Sequence, residues 1–288
     1  MTEWLQDMGG PSFAQIYAVS AELFRGRSDF QEIRVVRNQD FGVMLILDDA
    51  VQTTERDEFI YHEMLAHVPL LAHPSPRRVL IVGGGDGGLL EEALKHPLEA
   101  AVMVEIDRQV IEVTRRFLPD VPRGAFEDPR THLVIADGIR FMTETAERFD
   151  VILVDSTDPK GPALGLFAES FYAAARRRLT PGGLIAVQSG SPLYQQDLIR
   201  MVRTNLQPAF PRIATYLASV PTYPGVLWSF TLGTIGDAPR LPAAAEVVRR
   251  TAGFGLQYLT PLILRAAFEL PPFIARDLGI PAQWTDSA

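Results

Sequence analysis

Four apolar runs in this chain end in carboxylates. Asp86 lies inside the glycine stretch from Gly83 to Gly88, Glu105 and Asp107 close VMVEID, Asp137 precedes Gly138, and Asp155 and Asp158 follow VILV three residues apart. One or two acids at such places mean little, because Asp caps helices and turns. Four endings gathered at one mouth expect a polycation, a metal such as Mg²⁺, or a nucleoside together with a cation. No phosphate-binding lysine or Walker motif accompanies them.

Asp86 narrows the choice. At about 4 Å and an effective dielectric near 20, a like-charge pair costs on the order of 4 kcal/mol. A ligand that is cationic beside Asp86 avoids that cost; the alternative reading is an aspartate capping the helix that follows. Gln52 and Tyr61, just ahead of the glycine stretch, are placed to roof a ligand, and a core position is the other reading for the tyrosine. His62 and His67 are five apart, the wrong spacing for two ligands on one helical face, and read as hydrogen-bonding or partly exposed histidines. Tyr223 is held between Pro221, Pro224 and Gly225 and offers a cation its ring face or its hydroxyl. Pro159, Gly161 and Pro162 follow Asp158 directly and read as a lid, with Gly161 and Gly165 as hinges.

These residues need elements to hold them. Val79–Val82 is a short apolar run of the kind buried on both faces of a parallel sheet. Gly83, Gly85 and Gly88 fit G-x-G-x-x-G, LLEEALKH reads as a helix, and Glu105 stands about 20 residues on, where a ribose-binding carboxylate belongs. Glycine there lets a nucleoside approach the backbone. Beyond it the chain alternates: strand AAVMVEID, helix RQVIEVTRRFLP, strand THLVIADG, helix IRFMTETAE, strand FDVILVD, helix ESFYAAARRRL and strand LIAVQSG. This predicts an α/β, Rossmann-like doubly wound sheet with its ligand outside the carboxyl ends of the strands. ATYLASV and GVLWSFTLGT predict an antiparallel hairpin at one edge, and residues 242–280 predict two or three helices broken at Pro261 and Pro271–Pro272.

Ahead of the sheet, residues 1–13 read as an unspecified lead-in. QIYAVSAELFR, FQEIRVVRN and GVMLILDD form a small antiparallel sheet, too small to stand without a neighbour. A helix starts near Glu58, capped by Asp57 or Thr54 and ended or kinked by Pro69. Residues 1–56 are thus an N-terminal β domain and residues 57–288 a catalytic domain.

The chain of 288 residues carries 27 Lys and Arg against 35 Asp and Glu, a net charge of −8, which argues against general nucleic-acid binding. It has no cysteine, so disulfides, thiolate metal sites and cysteine nucleophiles are excluded. No signal peptide or membrane-length apolar run is evident, and a soluble cytoplasmic protein is the expectation.

VQTTERDEFIYHEM, VLIVGGGDGG, MVEID, ADG, FDVILVDSTDPKGP and VPTYPG, in that order, resemble the spermidine synthases, the polyamine aminopropyltransferases. The resemblance runs from about residue 12 to residue 275. It implies a sheet of the class I methyltransferase type and transfer of an aminopropyl group from decarboxylated S-adenosylmethionine to putrescine, giving spermidine and 5′-methylthioadenosine. It implies no cofactor and no metal. By motif, Asp155 becomes the proton acceptor. Gln52, Gly83, Gly85, Asp86, Glu105, Asp137 and Gly138 become donor-binding. Gln31, Tyr61, His62, Asp158 and Tyr223 become acceptor-binding. A homodimer or homotetramer built through the N-terminal sheets is implied, with small molecules as the other partners and neither nucleic acid nor membrane. Rival readings are the same chemistry on agmatine, cadaverine or spermidine, an S-adenosylmethionine methyltransferase, for which Asp86 is a liability, and a non-catalytic binder, which would not need Asp155.

Overall fold

The structure, a computed structural model, describes residues 3–236 and 241–280. The chain opens with an antiparallel hairpin of β1 (Glu3–Gly10) and β2 (Phe13–Val19). Residues 3–13 are therefore not a lead-in; residues 1 and 2 of that expectation lie outside the described residues. EWLQDMGG alternates with period two: Leu5 and Asp7 turn inward, while Trp4 and Met8 face out. QIYAVSAELFR is likewise not one run. It breaks at Ser20, after which β3 (Ala21–Arg27), β4 (Glu32–Asn38), β5 (Gly42–Leu47) and β6 (Ala50–Thr54) form a separate four-stranded antiparallel sheet in sequential order.

Helix α1 (Glu58–Ala72) follows. Asp57 occupies its N-cap position, but the carboxylate is committed elsewhere. It accepts from the Thr222 N–H at 2.8 Å, the Thr222 hydroxyl at 2.6 Å and the Thr54 hydroxyl at 2.7 Å. The expected cap is instead a tie to a loop 165 residues away. Pro69 does not end the helix either. Leu65, Val68, Leu70 and Leu71 are fully buried around it, and that packing carries the helix one turn past the proline.

The alternation then runs β7 (Arg78–Gly83), α2 (Gly88–Leu94), β8 (Ala100–Glu105), α3 (Arg108–Phe117), β9 (Thr131–Ile135), α4 (Gly138–Glu144), β10 (Phe149–Asp155), α5 (Glu169–Arg178) and β11 (Leu179–Gly190). Helix α6 (Gln196–Leu206), which periodicity had not singled out, leads to the hairpin β12 (Arg212–Ser219) and β13 (Leu227–Thr234). Three short helices close the described chain: α7 (Ala244–Arg250), α8 (Pro261–Ala266) and α9 (Pro272–Leu278). Pro261 and Pro272 open α8 and α9, where a missing N–H costs nothing.

The seven-stranded sheet has the order β12-β13-β11-β10-β7-β8-β9. Strands β11 to β9 in that order are parallel, and β13 runs antiparallel to both of its neighbours. Alternate residues of β7 serve the two faces. Val79 and Ile81 pack with α1 and α2, whereas Leu80 and Val82 pack with residues of α4 and α5. Chain order reverses between β7 and β10, and a ligand cleft belongs at that switch point.

Candidate active site

A cavity of about 330 Å³ opens at the β7–β10 switch. Seven carboxylates line it, those of Asp7, Asp48, Asp86, Glu105, Asp137, Asp155 and Asp158, against one lysine, Lys160, and one imidazole, His62. The expected residues Gly83, Gly85, Gly138, Gln31, Gln52, Tyr61 and Tyr223 line it as well, as do Gly161 and Pro162; Pro159 does not.

The loop glycines line the cavity and also let the protein's own backbone and side chains approach closely. Gly83 has φ +86°, and a Cβ there would fall 2.0 Å from the Asp155 carbonyl oxygen. That close approach lets Gly84 N–H donate to the same carbonyl at 2.9 Å, so β7 and β10 leave the sheet together. A Cβ on Gly85 would press on Val110 and Glu105.

At one end, Glu105 ends β8 and accepts from the Asp107 N–H at 2.8 Å. Burial pushes its carboxyl up to about 7, against that hydrogen bond. Asp137 caps α4, accepting from the Ile139 N–H at 2.8 Å, and Gly138 is glycine because Val82 lies where its Cβ would be. Gln31 donates to Asp107 at 2.9 Å. This sets Gln31 beside the Glu105 loop.

At the centre, Tyr61 from α1 donates its hydroxyl to Asp155 Oδ1 at 2.6 Å. Burial and the nearby Asp86 charge push the Asp155 carboxyl up to about 6, opposed by His62 and by the Tyr61 bond. Asp86 bonds to the start of α2 and also stands beside an imidazole. Its Oδ1 accepts from the Gly88 N–H at 3.0 Å, and its Oδ2 lies 3.4 Å from His62 Nε2. Burial works to raise the Asp86 carboxyl, but His62 and Gly88 hold it below the usual range. His62 and His67 are fully buried, not partly exposed; His67 is bonded to His96 and Glu92 under α2.

At the far end, Asp158 accepts from Gln195 Nε2 at 2.6 Å, and burial raises its carboxyl. Asp7 stands near it on β1, accepting from the Val51 N–H at 3.0 Å. Burial and the Asp158 charge push Asp7 up to about 6, against the Val51 bond and Lys160. The Tyr223 hydroxyl donates to the Gln52 carbonyl at 2.7 Å, which leaves its oxygen lone pairs and its ring for a cation. Its ring meets Tyr61 edge-on, centroids 5.6 Å apart. Ile139 fills the space of a Cβ at Gly165, whereas Gly161 has φ +50° and open space.

Asp7, Gln195 and Trp228 were missed from sequence. Asp7 was signalled by the alternation of EWLQDMGG, and Gln195 by a polar cluster just past the carboxyl end of a strand. Nothing about Trp228 separates it from a core tryptophan, yet its buried Nε1 has no partner and its ring lines the cavity. The β1–β2 hairpin forms the wall on this side. Gln15 donates to the Pro221 carbonyl and Tyr17 to the Thr222 carbonyl, and Phe13 stacks on Tyr194 at 4.4 Å.

Residues 58–238 match the spermine/spermidine synthase domain, and residues 3–55 match the spermidine synthase tetramerisation domain. The polyamine aminopropyltransferase of Caldicellulosiruptor bescii is 43% identical over 276 residues, covering 95% of this chain and 97% of the relative. That of Desulforudis audaxviator is 44% identical over 273 residues, covering 94% and 98%. A solved spermidine synthase in complex with the transition-state analogue AdoDATO superposes with a TM-score of 0.91 at 38% identity, covering 96% of this chain and 95% of that one.

Proposed function

The chain belongs to the spermine/spermidine synthase family and is an aminopropyltransferase, and on that premise we propose that it transfers the aminopropyl group of decarboxylated S-adenosylmethionine to putrescine, giving spermidine and 5′-methylthioadenosine. The observation that carries the reading is the set of seven carboxylates on one cavity, three of them buried, with so little positive charge facing them. Such a cavity suits a diamine and a sulfonium donor whose own carboxylate is gone.

In this proposal Glu105 takes the ribose hydroxyls, Asp137 and Gly138 the adenine, and Gln31 and Gln52 the donor's flank, with Gly83 and Gly85 shaping the loop beneath. Asp86 takes the donor's terminal ammonium. Asp158, with Asp7 near it, pins the distal ammonium of the acceptor, and the rings of Tyr61 and Tyr223 flank its chain. The sulfonium is a good leaving group and needs no acid. The difficulty lies with the nucleophile, since an alkylamine is mostly protonated at neutral pH. Asp155 removes one proton from the reacting ammonium. The freed lone pair attacks the methylene carbon, the carbon–sulfur bond breaks, and its electron pair leaves on the thioether. A carboxylate raised to about 6 suits this work, being ionised at neutral pH yet more basic than an ordinary one.

The division at residue 56 and assembly as a cytoplasmic homodimer or homotetramer belong to the same proposal. The match to a tetramerisation domain and the exposed apolar face of the first hairpin support the assembly. Among the described residues no helix is long and apolar enough to cross a membrane.

The test is release of 5′-methylthioadenosine from the decarboxylated donor with putrescine, cadaverine, agmatine or spermidine. Turnover led by putrescine is expected. Turnover led by another amine would keep the chemistry and replace the acceptor.

A further inference from the structure

We propose that Glu58 is a positioning residue for the transfer step: bonded to His62, it holds that imidazole doubly protonated, and the imidazolium keeps Asp86 and Asp155 ionised side by side. The proposal rests on the roles given above to those two aspartates.

His62 is 2% exposed and sits between two carboxylates. Its Nδ1 lies 2.7 Å from Glu58 Oε2, one helical turn earlier, and its Nε2 lies 3.4 Å from Asp86 Oδ2. A neutral imidazole has one N–H and one lone pair, so one of its nitrogens would face a carboxylate lone pair to lone pair. Between two ionised carboxylates, only the imidazolium satisfies both sides. The ring has no room to turn away. A Cβ on Gly88 would fall 2.3 Å from ring atoms Cε1 and Nδ1, so the imidazole rests on the backbone of the glycine loop. Tyr61 closes the other side edge-on at 5.4 Å between centroids.

The charged groups facing the ring are Glu58 on its own helix, Asp86 on the glycine loop and Asp155 at the end of β10. The phenols of Tyr61 and Tyr223 stay neutral, because burial holds both well above the usual range. Burial alone would push His62 down, but Asp86 and Glu58 outweigh it and hold it well above the usual histidine range.

The consequence falls on the two aspartates. One side-chain nitrogen or oxygen from each of His62, Asp86 and Asp155 lies within 4.8 Å of the others. Of two buried carboxylates at one site, one takes up a proton unless a cation compensates them. That proton would cost either the donor its anchor or the acceptor its base. Glu58 does not line the cavity, so its influence passes through His62.

The ring ¹⁵N shifts of His62 in histidine-labelled, ligand-free protein test this between pH 5.5 and 8.5. In the wild type both nitrogens are expected to stay protonated up to at least pH 7.5. In Glu58→Gln the resonance is expected to titrate inside the range. The acid limb of kcat/KM for the donor is expected to move up by about one pH unit, which is up to tenfold in rate on that limb. His62→Gln is expected to move the limb similarly, and the double variant no further than His62→Gln. A neutral His62 in the wild type at pH 7 would overturn the proposal. So would a Glu58→Gln profile that loses height without moving, or shifts that add in the double variant. The wild-type spectrum decides even if Glu58→Gln does not fold. Because the spectra need no substrate, absence of turnover with every amine would remove the functional reading while leaving the protonation state of His62 decided.

Discussion

Tyr61 and Asp155 meet at 2.6 Å, hydroxyl to carboxylate, and this bond joins α1 to the end of β10 across the cavity. It steadies one oxygen of the base and partly offsets the burial that raises it. Tyr61→Phe is therefore expected to lower kcat several-fold and move the acid limb of the rate profile up by less than one unit. Asp155→Asn is expected to lower turnover by orders of magnitude, with the dissociation constant of 5′-methylthioadenosine changed only a few-fold by calorimetry. Near-normal turnover in Asp155→Asn would remove the residue from the chemistry.

Asp86 should read the donor's charge. Ordinary S-adenosylmethionine brings a carboxylate towards it, the decarboxylated donor only an ammonium. Asp86→Asn is expected to narrow the ratio of the two dissociation constants by roughly tenfold or more, within the range that screened charges at such distances allow. An unchanged ratio would mean that shape, not charge, selects the donor.

Protonation of the empty cavity gives a third prediction. Asp155 and Asp7 are raised to about 6 and Glu105 to about 7, all above their unfolded values. Raised groups lend stability that is complete below the unfolded pKa, near pH 4, and is lost as pH climbs through 6 to 7. Bound cations compensate the charge that then appears. The gain in melting temperature from putrescine with 5′-methylthioadenosine is expected to be small at pH 5 and to reach several degrees at pH 7.5. Equal gains at both pH values would show that these carboxylates do not drive binding.

The outer face of the first hairpin offers a fourth. Trp4 is 59% exposed and Ile16 57%, and both stand on the face away from Asp7. Large apolar residues left bare together mark an interaction surface. Trp4→Glu with Ile16→Glu is expected to reduce the assembly to smaller species by light scattering. An unaltered mass would place the contact elsewhere.

The parallel sheet was legible because its strands are short, apolar and punctuated by Gly and Asp. The glycine loop, Glu105 and Asp155 all follow from that punctuation. Pro69 misled because a local rule met a fully buried helix. Asp57 misled because its partner, Thr222, is distant in sequence. The partner of Gln31 was hidden for a similar reason: its amide answers to Asp107, 76 residues on. The pairing of His62 with Glu58 has helical spacing and could be read from sequence, but its meaning depends on Asp86, which only the fold brings near.

The hairpin wall also bears on how the protein is made. Gln15 and Tyr17 bond to carbonyls more than two hundred residues downstream. Closing so long a loop is slow compared with forming the local βα units. On a ribosome the first strands emerge well before the loop they must grip. The pocket is therefore expected to be among the last regions to form, and a chain halted before Thr222 would contain Asp86 and Asp155 yet lack the segment that carries Tyr223.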